Sequence, residues 1–357
     1  MCTDFLLLAS DEDNSAVVGR SMEFGEDLGS QILVGGRGTK KHGAAPDLPL
    51  GGVSWTAKYG YVGLNVAGLG PEFKHLICDG MNEKGLSIGA LWLPGFTEYS
   101  PAVTNNAQAL DVTHFTNWVL GNFATVAEVK AGLTGVEIWG SSLTNSQIPL
   151  HFSIQDANGT SAVLEFLDGN TQGLWGFNPV GVLTNAPPFA WQLTNISNYV
   201  GLSSVDAQPI TIGGNSYNPP GHGSGMRGVP GDSTPPSRFI RTLFQKQFAT
   251  QPANNEDASN LALHLLNTVD IPLGTSAAQQ EQNPSKGNDD YTQWVVVKAL
   301  TARTFSYRTA ANPTLMQISF AELDLDNPCE KAFLMPPNEP TYIDITEQLS
   351  PVKAGSR

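Results

Sequence analysis

The sequence predicts an α+β fold, because β-prone blocks near both ends of the chain enclose amphipathic helical segments. Two apolar runs, 4–10 and 15–24, flank a polar turn and suit a β-hairpin. Toward the other end, 291–300 and 304–309 form a second hairpin candidate. Strands at both ends with helices between them favour layers of sheet and helix over a doubly wound parallel sheet.

Local signals predict the remaining elements. Thr125 and Glu128 form a capping box at the start of a helix, and 237–249 and 257–267 carry apolar residues at helical spacing. The Asn-Gly pair at 158–159 is a strong hairpin signal. Further β-prone runs lie at 61–66, 86–93, 151–155, 161–166 and 315–320.

No linker divides the chain, so residues 1–357 are predicted to form a single domain. The segment 208–236 is rich in Gly and Pro, which predicts a long ordered loop or a subunit contact. The Pro-rich segment 327–357 is predicted to be an extended tail on the surface.

Composition and charge narrow the class of partner. The chain is 40% hydrophobic with a mean hydropathy of −0.14, as in ordinary globular proteins. With 33 acidic and 19 basic residues, its net charge of −14 argues against nucleic acids and anionic membranes as partners. No apolar run approaches the roughly 18 residues of a membrane helix. The N-terminal run lacks a basic flank and cleavage site, which predicts a cytoplasmic protein, or a periplasmic one if the chain is a trimmed form.

Metal and cofactor chemistry has no signature in the sequence, so neither is predicted. The six histidines lack H-E-x-x-H or comparable spacing, and no C-x-x-C pair is present. Glycine-rich pieces lack the phosphate-binding pattern G-x-x-x-x-G-K-S/T. Cys78 and Cys329 are predicted to be small core residues. A Cys–His protease pair built on either one stays open, although no local signature supports it.

Cys2 is the strongest candidate for covalent chemistry. Removal of Met1 would expose an N-terminal cysteine that carries a thiol and an α-amine on one residue. The pKa of an α-amine is ordinarily about 7.7–8.0, so at physiological pH a useful fraction of the amine is neutral and can act as general base. A thiol activated by its own amine is a known nucleophile. The alternative is a stray cysteine at a frayed terminus.

Arg20 favours the catalytic interpretation of Cys2. It lies in the run 15–24, which could pair with 4–10 and face Cys2. A guanidinium beside a thiol stabilises the thiolate. The alternative is a solvated arginine on an edge strand.

Six segments in register resemble the choloylglycine hydrolase family, which contains conjugated bile acid hydrolases and penicillin V acylases. They are MCT at 1–3, GRSM at 19–22, GMNEKGL at 80–86, NPVGVLTN at 178–185, PGDSTPPSRF at 230–239 and DYTQW at 290–294. Within the family, LWLP at 91–94 and GSGMRGVP at 223–230 look like the penicillin V acylase branch of Gram-negative bacteria. The resemblance implies the four-layer αββα sandwich of N-terminal-nucleophile (Ntn) hydrolases, with two packed antiparallel sheets, and a homo-oligomer, specifically a tetramer.

The resemblance also implies roles for individual residues. Cys2 would be nucleophile through its thiol and base through its amine, with Arg20 holding the thiolate and Arg238 supporting the centre. Asn82 and Asn185 look like the oxyanion-hole pair, one through a backbone N–H and the other through its side-chain amide. Each asparagine has a plainer alternative, since Asn82 precedes a turn at Glu83 and Asn185 precedes Ala-Pro-Pro.

Glu23 departs from the family pattern, which usually has Asp beside the α-amine. Its extra methylene puts the position of the amine in doubt. Phe24 and Trp92 are predicted to wall the substrate pocket, the alternative for each being an ordinary core residue.

The sequence therefore predicts hydrolysis of a linear N-acyl amide, either penicillin V or an acyl-homoserine lactone, by an N-terminal cysteine. Bile salt hydrolysis is the alternative within the family. A weakly active scaffold or binding protein on the same fold is the alternative from another class, and the departure at Glu23 is the feature that would permit it.

Overall fold

The structure is a computed structural model that describes residues 1–10, 12, 14–140, 148–277, 289–336 and 339–348. Its first ten strands are β1 (Cys2–Leu8), β2 (Ala16–Phe24), β3 (Gln31–Gly35), β4 (Lys40–His42), β5 (Ser54–Thr56), β6 (Tyr61–Asn65), β7 (Ile77–Asn82), β8 (Ser87–Trp92), β9 (Ala109–Asp111) and β10 (Glu137–Trp139). The others are β11 (Leu150–Gln155), β12 (Ser161–Glu165), β13 (Leu174–Phe177), β14 (Val182–Leu183), β15 (Ile210–Ile212), β16 (Asn215–Tyr217), β17 (Tyr291–Ala299), β18 (Thr304–Thr309), β19 (Met316–Ser319) and β20 (Glu330–Leu334). The α-helices of the described part are α1 (Val112–Asn122), α2 (Val126–Leu133), α3 (Phe189–Asn195), α4 (Pro235–Phe248) and α5 (Asn255–Asn267).

Two large antiparallel sheets form the centre of the fold. One has six strands in the order β14-β1-β2-β17-β18-β19, and the other has eight in the order β13-β12-β11-β8-β7-β6-β3-β20. Helix α1 packs on β7 and β8 of the larger sheet, whereas α4 and α5 pack on β1, β2 and β17 of the smaller one. This is the four-layer αββα arrangement that the resemblance implied, and the predicted fold class is confirmed.

Predicted helices are confirmed where a cap or an apolar stripe signals them. Thr125 Oγ1 accepts a hydrogen bond from Glu128 N at 3.2 Å and begins α2, as the capping box predicts. No cap or apolar stripe indicates α1, whose residues are buried on almost every side. A helix buried all round lacks the polar face that produces an amphipathic pattern.

Two segments predicted to be irregular contain strands. Within 208–236, β15 and β16 pair as a small hairpin, and α4 begins at Pro235. In the tail, β20 adds to the edge of the larger sheet by pairing with β3. In the described part of the chain, no helix combines the length and apolar character that a bilayer crossing requires.

Candidate active site

The antiparallel register of β1 with β2 determines what surrounds Cys2. Cys2 pairs with Met22, and Asp4 pairs with Arg20. Because alternate residues of a strand share a face, these four side chains lie on the same side of the sheet. That side packs on the larger sheet, and Cys2 is 2% exposed. The predicted first strand thus places the thiol in the interior and not at a frayed end.

Arg20 contacts the thiol directly, as the predicted strand pairing requires. Its Nη2 lies 3.4 Å from Cys2 Sγ and donates to Ala90 O at 2.7 Å. Its Nε lies 3.7 Å from Asp79 Oδ1. Burial opposes the charged form of Arg20, but the neighbouring Cys2 and Asp79 raise its pKa above the ordinary value. A permanent positive charge therefore lies beside the sulfur.

Arg238 approaches Cys2 from the helical layer on the other face of the smaller sheet. From α4, its Nη1 donates to Cys2 O at 2.5 Å and to Thr3 Oγ1 at 2.6 Å. Its Nη2 donates to Asn185 Oδ1 at 2.8 Å. Burial lowers the pKa of Arg238, and the charge of Glu23 acts against this. The arginine fixes the main chain at Cys2 and one side chain next to it.

Glu23 is buried on the helical face of the smaller sheet, where Arg238 lies. One carboxylate oxygen accepts a hydrogen bond from Thr292 Oγ1 at 3.0 Å, and the other lies 3.9 Å from Arg238 Nη1. The amine of Met1 donates to the main-chain oxygen of Glu23. Burial raises the pKa of Glu23, while Arg238 lowers it in part. The longer side chain is accommodated without leaving the site.

Asn185 follows β14 and is brought to the cysteine. Its Oδ1 accepts the backbone N–H of Cys2 at 2.5 Å, and its Nδ2 donates to Trp92 O at 2.7 Å. Strand β14 pairs with β1, which positions this side chain next to the start of β1.

Asn82, in contrast, is not brought to the other candidates. Its Nδ2 donates to Leu120 O and Phe123 O at the end of α1, at 2.8 and 2.7 Å. Its Oδ1 accepts from Lys84 N and Leu86 N, and its own N–H donates to Leu86 O. An amide has two donor hydrogens and two acceptor positions, and all are used here for structure. The geometry therefore favours the plainer alternative for Asn82, a residue that shapes a turn.

The backbone N–H of Trp92 was not foreseen as a candidate donor. Leu93 N donates to Pro149 O on the β11 side, so the N–H and C=O of Trp92 point to the opposite edge of β8. That edge meets Asn185 through Trp92 O. A backbone donor leaves no trace in residue type, so only the register between strands reveals it.

An apolar cleft of about 40 Å³ opens beside Cys2 between the two sheets. Phe24 and Trp92 form one wall in an edge-to-face contact, with ring centroids 5.4 Å apart and planes at 76°. Leu28, Val66 and Leu150 also line the cleft. Both predicted pocket residues thus lie in the cleft that Cys2 lines.

A second polar cluster joins His75 to Asp111 and His114. Among the described residues, it brings three potential metal-ligand atoms within 4.8 Å of one another. The two imidazoles are stacked, with centroids 3.8 Å apart and planes at 19°. His114 Nδ1 bonds Asp111 directly, at 2.8 and 2.7 Å from its two carboxylate oxygens. Thr113 Oγ1 links His75 Nε2, at 3.0 Å, to Asp111, so this conformation is a hydrogen-bonded cluster.

The fold and the site together define the class of protein. A buried cysteine begins the first strand of an αββα sandwich, with an arginine on its sulfur and an asparagine on its nitrogen. These features are those of an Ntn hydrolase that uses cysteine.

Comparison with known proteins identifies the family. A profile of the choloylglycine hydrolase family, described as linear amide C–N hydrolases, matches residues 2–333. A bile salt hydrolase/transferase of Clostridium perfringens is 32% identical over 334 residues, covering 91% of this chain and 94% of that protein. The chain belongs to the choloylglycine hydrolase family and is a linear amide C–N hydrolase.

Solved structures agree with this assignment. The C2A variant of the conjugated bile acid hydrolase from Clostridium perfringens matches with a TM-score of 0.81 and 28% identity, covering 97% of this chain and 100% of that one. Penicillin V acylase from Agrobacterium tumefaciens matches with a TM-score of 0.73 and 26% identity, covering 95% and 93%. The expected preference for the acylase branch is therefore not supported, and the bile salt alternative is better supported.

The different contacts of the two asparagines lead to opposite expectations for their alanine variants. Asn82→Ala leaves backbone groups unpaired and should lower the free energy of unfolding by about 2 kcal/mol or more, with little change in kcat of the folded enzyme. If Asn185 is an oxyanion donor, as the resemblance implies, Asn185→Ala should lower kcat by about 10²–10³. Urea unfolding and steady-state kinetics on both variants measure these effects. A large loss of kcat in fully folded Asn82→Ala would restore the original assignment.

Proposed function

We propose that this protein hydrolyses the amide bond of conjugated bile acids, with Cys2 as the nucleophile. The observation that carries the proposal is the approach of Arg20 Nη2 to Cys2 Sγ, at 3.4 Å, at the edge of an apolar cleft. The similarity to bile salt hydrolases across nearly the whole chain supports this substrate class.

The proposed reaction starts when removal of Met1 frees the α-amine of Cys2. The amine takes the thiol proton, and the sulfur attacks the amide carbonyl carbon to form a tetrahedral intermediate. As the C–N bond breaks, the α-ammonium returns the proton to the leaving amine. Water, deprotonated by the same amine, then cleaves the thioester and releases the carboxylic acid. The thiol and the amine are thereby restored.

The surrounding residues take distinct parts in this proposal. Arg20 stabilises the thiolate, and Arg238 holds the main chain of Cys2 together with Asn185. Asn185 Nδ2 and Trp92 N–H are the proposed oxyanion donors, in place of Asn82. Glu23 attracts and orients the ammonium group that forms on Cys2 during the reaction.

A second candidate substrate is penicillin V, or an acyl-homoserine lactone. The edge-to-face pair of Phe24 and Trp92 narrows the cleft, and aromatic walls favour a flat phenoxyacetyl group or a flexible acyl chain. A steroid requires a wider opening. The match to a penicillin V acylase structure is compatible with this candidate.

The prediction of a homo-oligomer is retained as part of this proposal. Val205, Ile210, Ile212 and Tyr217 are exposed on and near the β15–β16 hairpin. Contact with a second copy would remove this apolar surface from water. The tetrameric state and the cellular compartment stay predictions.

Removal of Met1 and the thiol of Cys2 are both required by the mechanism. The active protein should lack Met1 in an intact mass spectrum, because an acylated amine cannot act as base. Cys2→Ala should abolish turnover, and Cys2→Ser should leave a small remnant at most, because a hydroxyl is the weaker nucleophile. Full activity in protein that retains Met1, or in Cys2→Ala, would falsify the mechanism.

Glu23 provides a test of how the amine is positioned. Glu23→Ala should lower kcat much more than it raises KM, because the ammonium loses its carboxylate. Glu23→Asp, which restores the residue usual in the family, should keep or improve kcat. Steady-state kinetics with one substrate decide the matter. A silent Glu23→Ala variant would transfer the role to another acid, with Asp232 as the candidate.

A substrate panel separates the two candidates. Glycocholate and taurocholate should be cleaved with higher kcat/KM than penicillin V or a long-chain acyl-homoserine lactone. Trp92→Ala should lower kcat/KM for the preferred substrate by about 10–200-fold, the scale of a lost contact in a specificity pocket. The variant should remain folded by circular dichroism. If penicillin V is the best substrate, the bile salt proposal fails while the chemistry of Cys2 stands.

A further inference from the structure

A buried ion pair lies directly behind the arginine that contacts Cys2. Lys298 Nζ donates to Asp79 Oδ1 at 2.5 Å, and both side chains have 0% exposure. Arg20 Nε lies 3.7 Å from the same oxygen. One carboxylate oxygen is therefore shared by two cations. A lysine is rarely buried completely, because removing its ammonium from water is costly unless it is paired.

The sheet register explains how the two cations reach one carboxylate. In β17, Lys298 pairs with Val18 of β2, two residues from Arg20, so both cations lie on the face that meets the larger sheet. Asp79 enters from β7 of that sheet. At Gly89 of β8, a Cβ atom would lie only 3.3 Å from Asp79 Oδ1 and 3.4 Å from Arg20 Nη1. The missing side chain at this glycine lets the charged groups pack closely.

We propose that Lys298 is a positioning residue for the nucleophile: it takes a share of the negative charge of Asp79, so that the positive charge of Arg20 acts on Cys2 Sγ. Without Lys298, Asp79 would be neutralised by Arg20 alone, and the field that favours the thiolate would weaken. The inference deepens the proposed function, because it rests on Cys2 as the nucleophile.

The other charged groups around Arg20 and Cys2 do not supply a second cation to Asp79, although the negative charge of Asp4 also raises the pKa of Arg20. Asp4 faces Arg20 from β1, and its Oδ1 is already bonded to Ser153 Oγ at 2.8 Å and Gln155 Nε2 at 2.5 Å. Burial raises the pKa of Cys78, which stays a neutral thiol. Glu23 and Arg238 act from the opposite face of the sheet. Among the described groups, Lys298 is the cation that bonds Asp79 directly.

Thiol alkylation as a function of pH tests the electrostatic role without requiring turnover. The protein without Met1 is treated with iodoacetamide, and modification of the Cys2 peptide is followed by mass spectrometry. Lys298→Met should move the midpoint of the alkylation profile upward by about one pH unit, because a cation near the thiolate is removed. Asp79→Asn should move it downward, because both cations remain while the carboxylate that bonds Lys298 is removed. The double variant should return close to the wild-type midpoint.

Opposite shifts separate an electrostatic role from structural damage, since damage would not change direction with the sign of the deleted charge. Lys298→Arg, which keeps the charge, should leave the midpoint near wild type. The matched control is Lys246→Met, a partly buried lysine that donates to Val180 O at 2.7 Å and makes no contact with Asp79 in the described structure. Its midpoint should not move. Lys298→Gln replaces Lys298→Met if the latter does not fold.

The kinetic readout should follow the thiol profile. At neutral pH, Lys298→Met should lower kcat about tenfold with KM nearly unchanged, and activity should recover as the pH is raised. The proposal is overturned if Lys298→Met and Lys298→Arg give the same midpoint. It is also overturned if Lys298→Met and Asp79→Asn shift the midpoint in the same direction. Shifts of the expected sign in a protein that cleaves no amide would leave the role of Lys298 standing while the proposed function fails.

Discussion

The antiparallel pairing of β1 with β2 is the constraint on which the site depends. It sets Cys2 opposite Met22 and Asp4 opposite Arg20, so a shift of β1 by one residue would turn the thiol to the helical face, away from the guanidinium. The next pairing, β2 with β17, places Lys298 on the same face. Three adjacent strands therefore present one nucleophile and two cations to the second sheet.

The two faces of the smaller sheet provide different environments. On the inner face, Arg20 meets the sulfur of Cys2 in a region closed by the second sheet. On the helical face, Arg238 holds the carbonyl of Cys2 and lies near Glu23. The thiol and the amine belong to one residue but need different neighbours. The sheet separates the charged groups that act on the thiol from those on the helical face. The bulge in the β2–β17 pairing between Thr292 and Trp294 lies next to Glu23. Beyond the bulge the register changes by one residue, so that Glu23 pairs with Thr292 whereas Met22 pairs with Trp294.

The sequence predicts the parts of the site that depend on local pattern, and it misses those that depend on register. Cys2 and Arg20 could be predicted together because a short polar turn joins two apolar runs, which is a local signal for a hairpin. For Asn82 the motif is not enough, since it cannot tell whether an amide is free or already bonded to a helix end, as the Asn82 side chain is. The donor at Trp92 is a backbone group that any residue would supply. Lys298 interrupts a valine-rich strand, and its partner lies 219 positions away in the sequence.

Burial of so many charged groups has an energetic consequence for the fold. A buried pair such as Lys298 and Asp79 rarely adds stability over apolar residues of similar volume, because desolvation offsets most of the attraction. Removing one member alone is costly, since the other is left as an uncompensated charge. The network therefore constrains the sheets to a packing in which every cation has an acid within reach. The same packing of the two sheets holds Arg20 against the sulfur of Cys2. The free-energy cost of burying the charges and the reactivity of the thiol therefore both result from this packing.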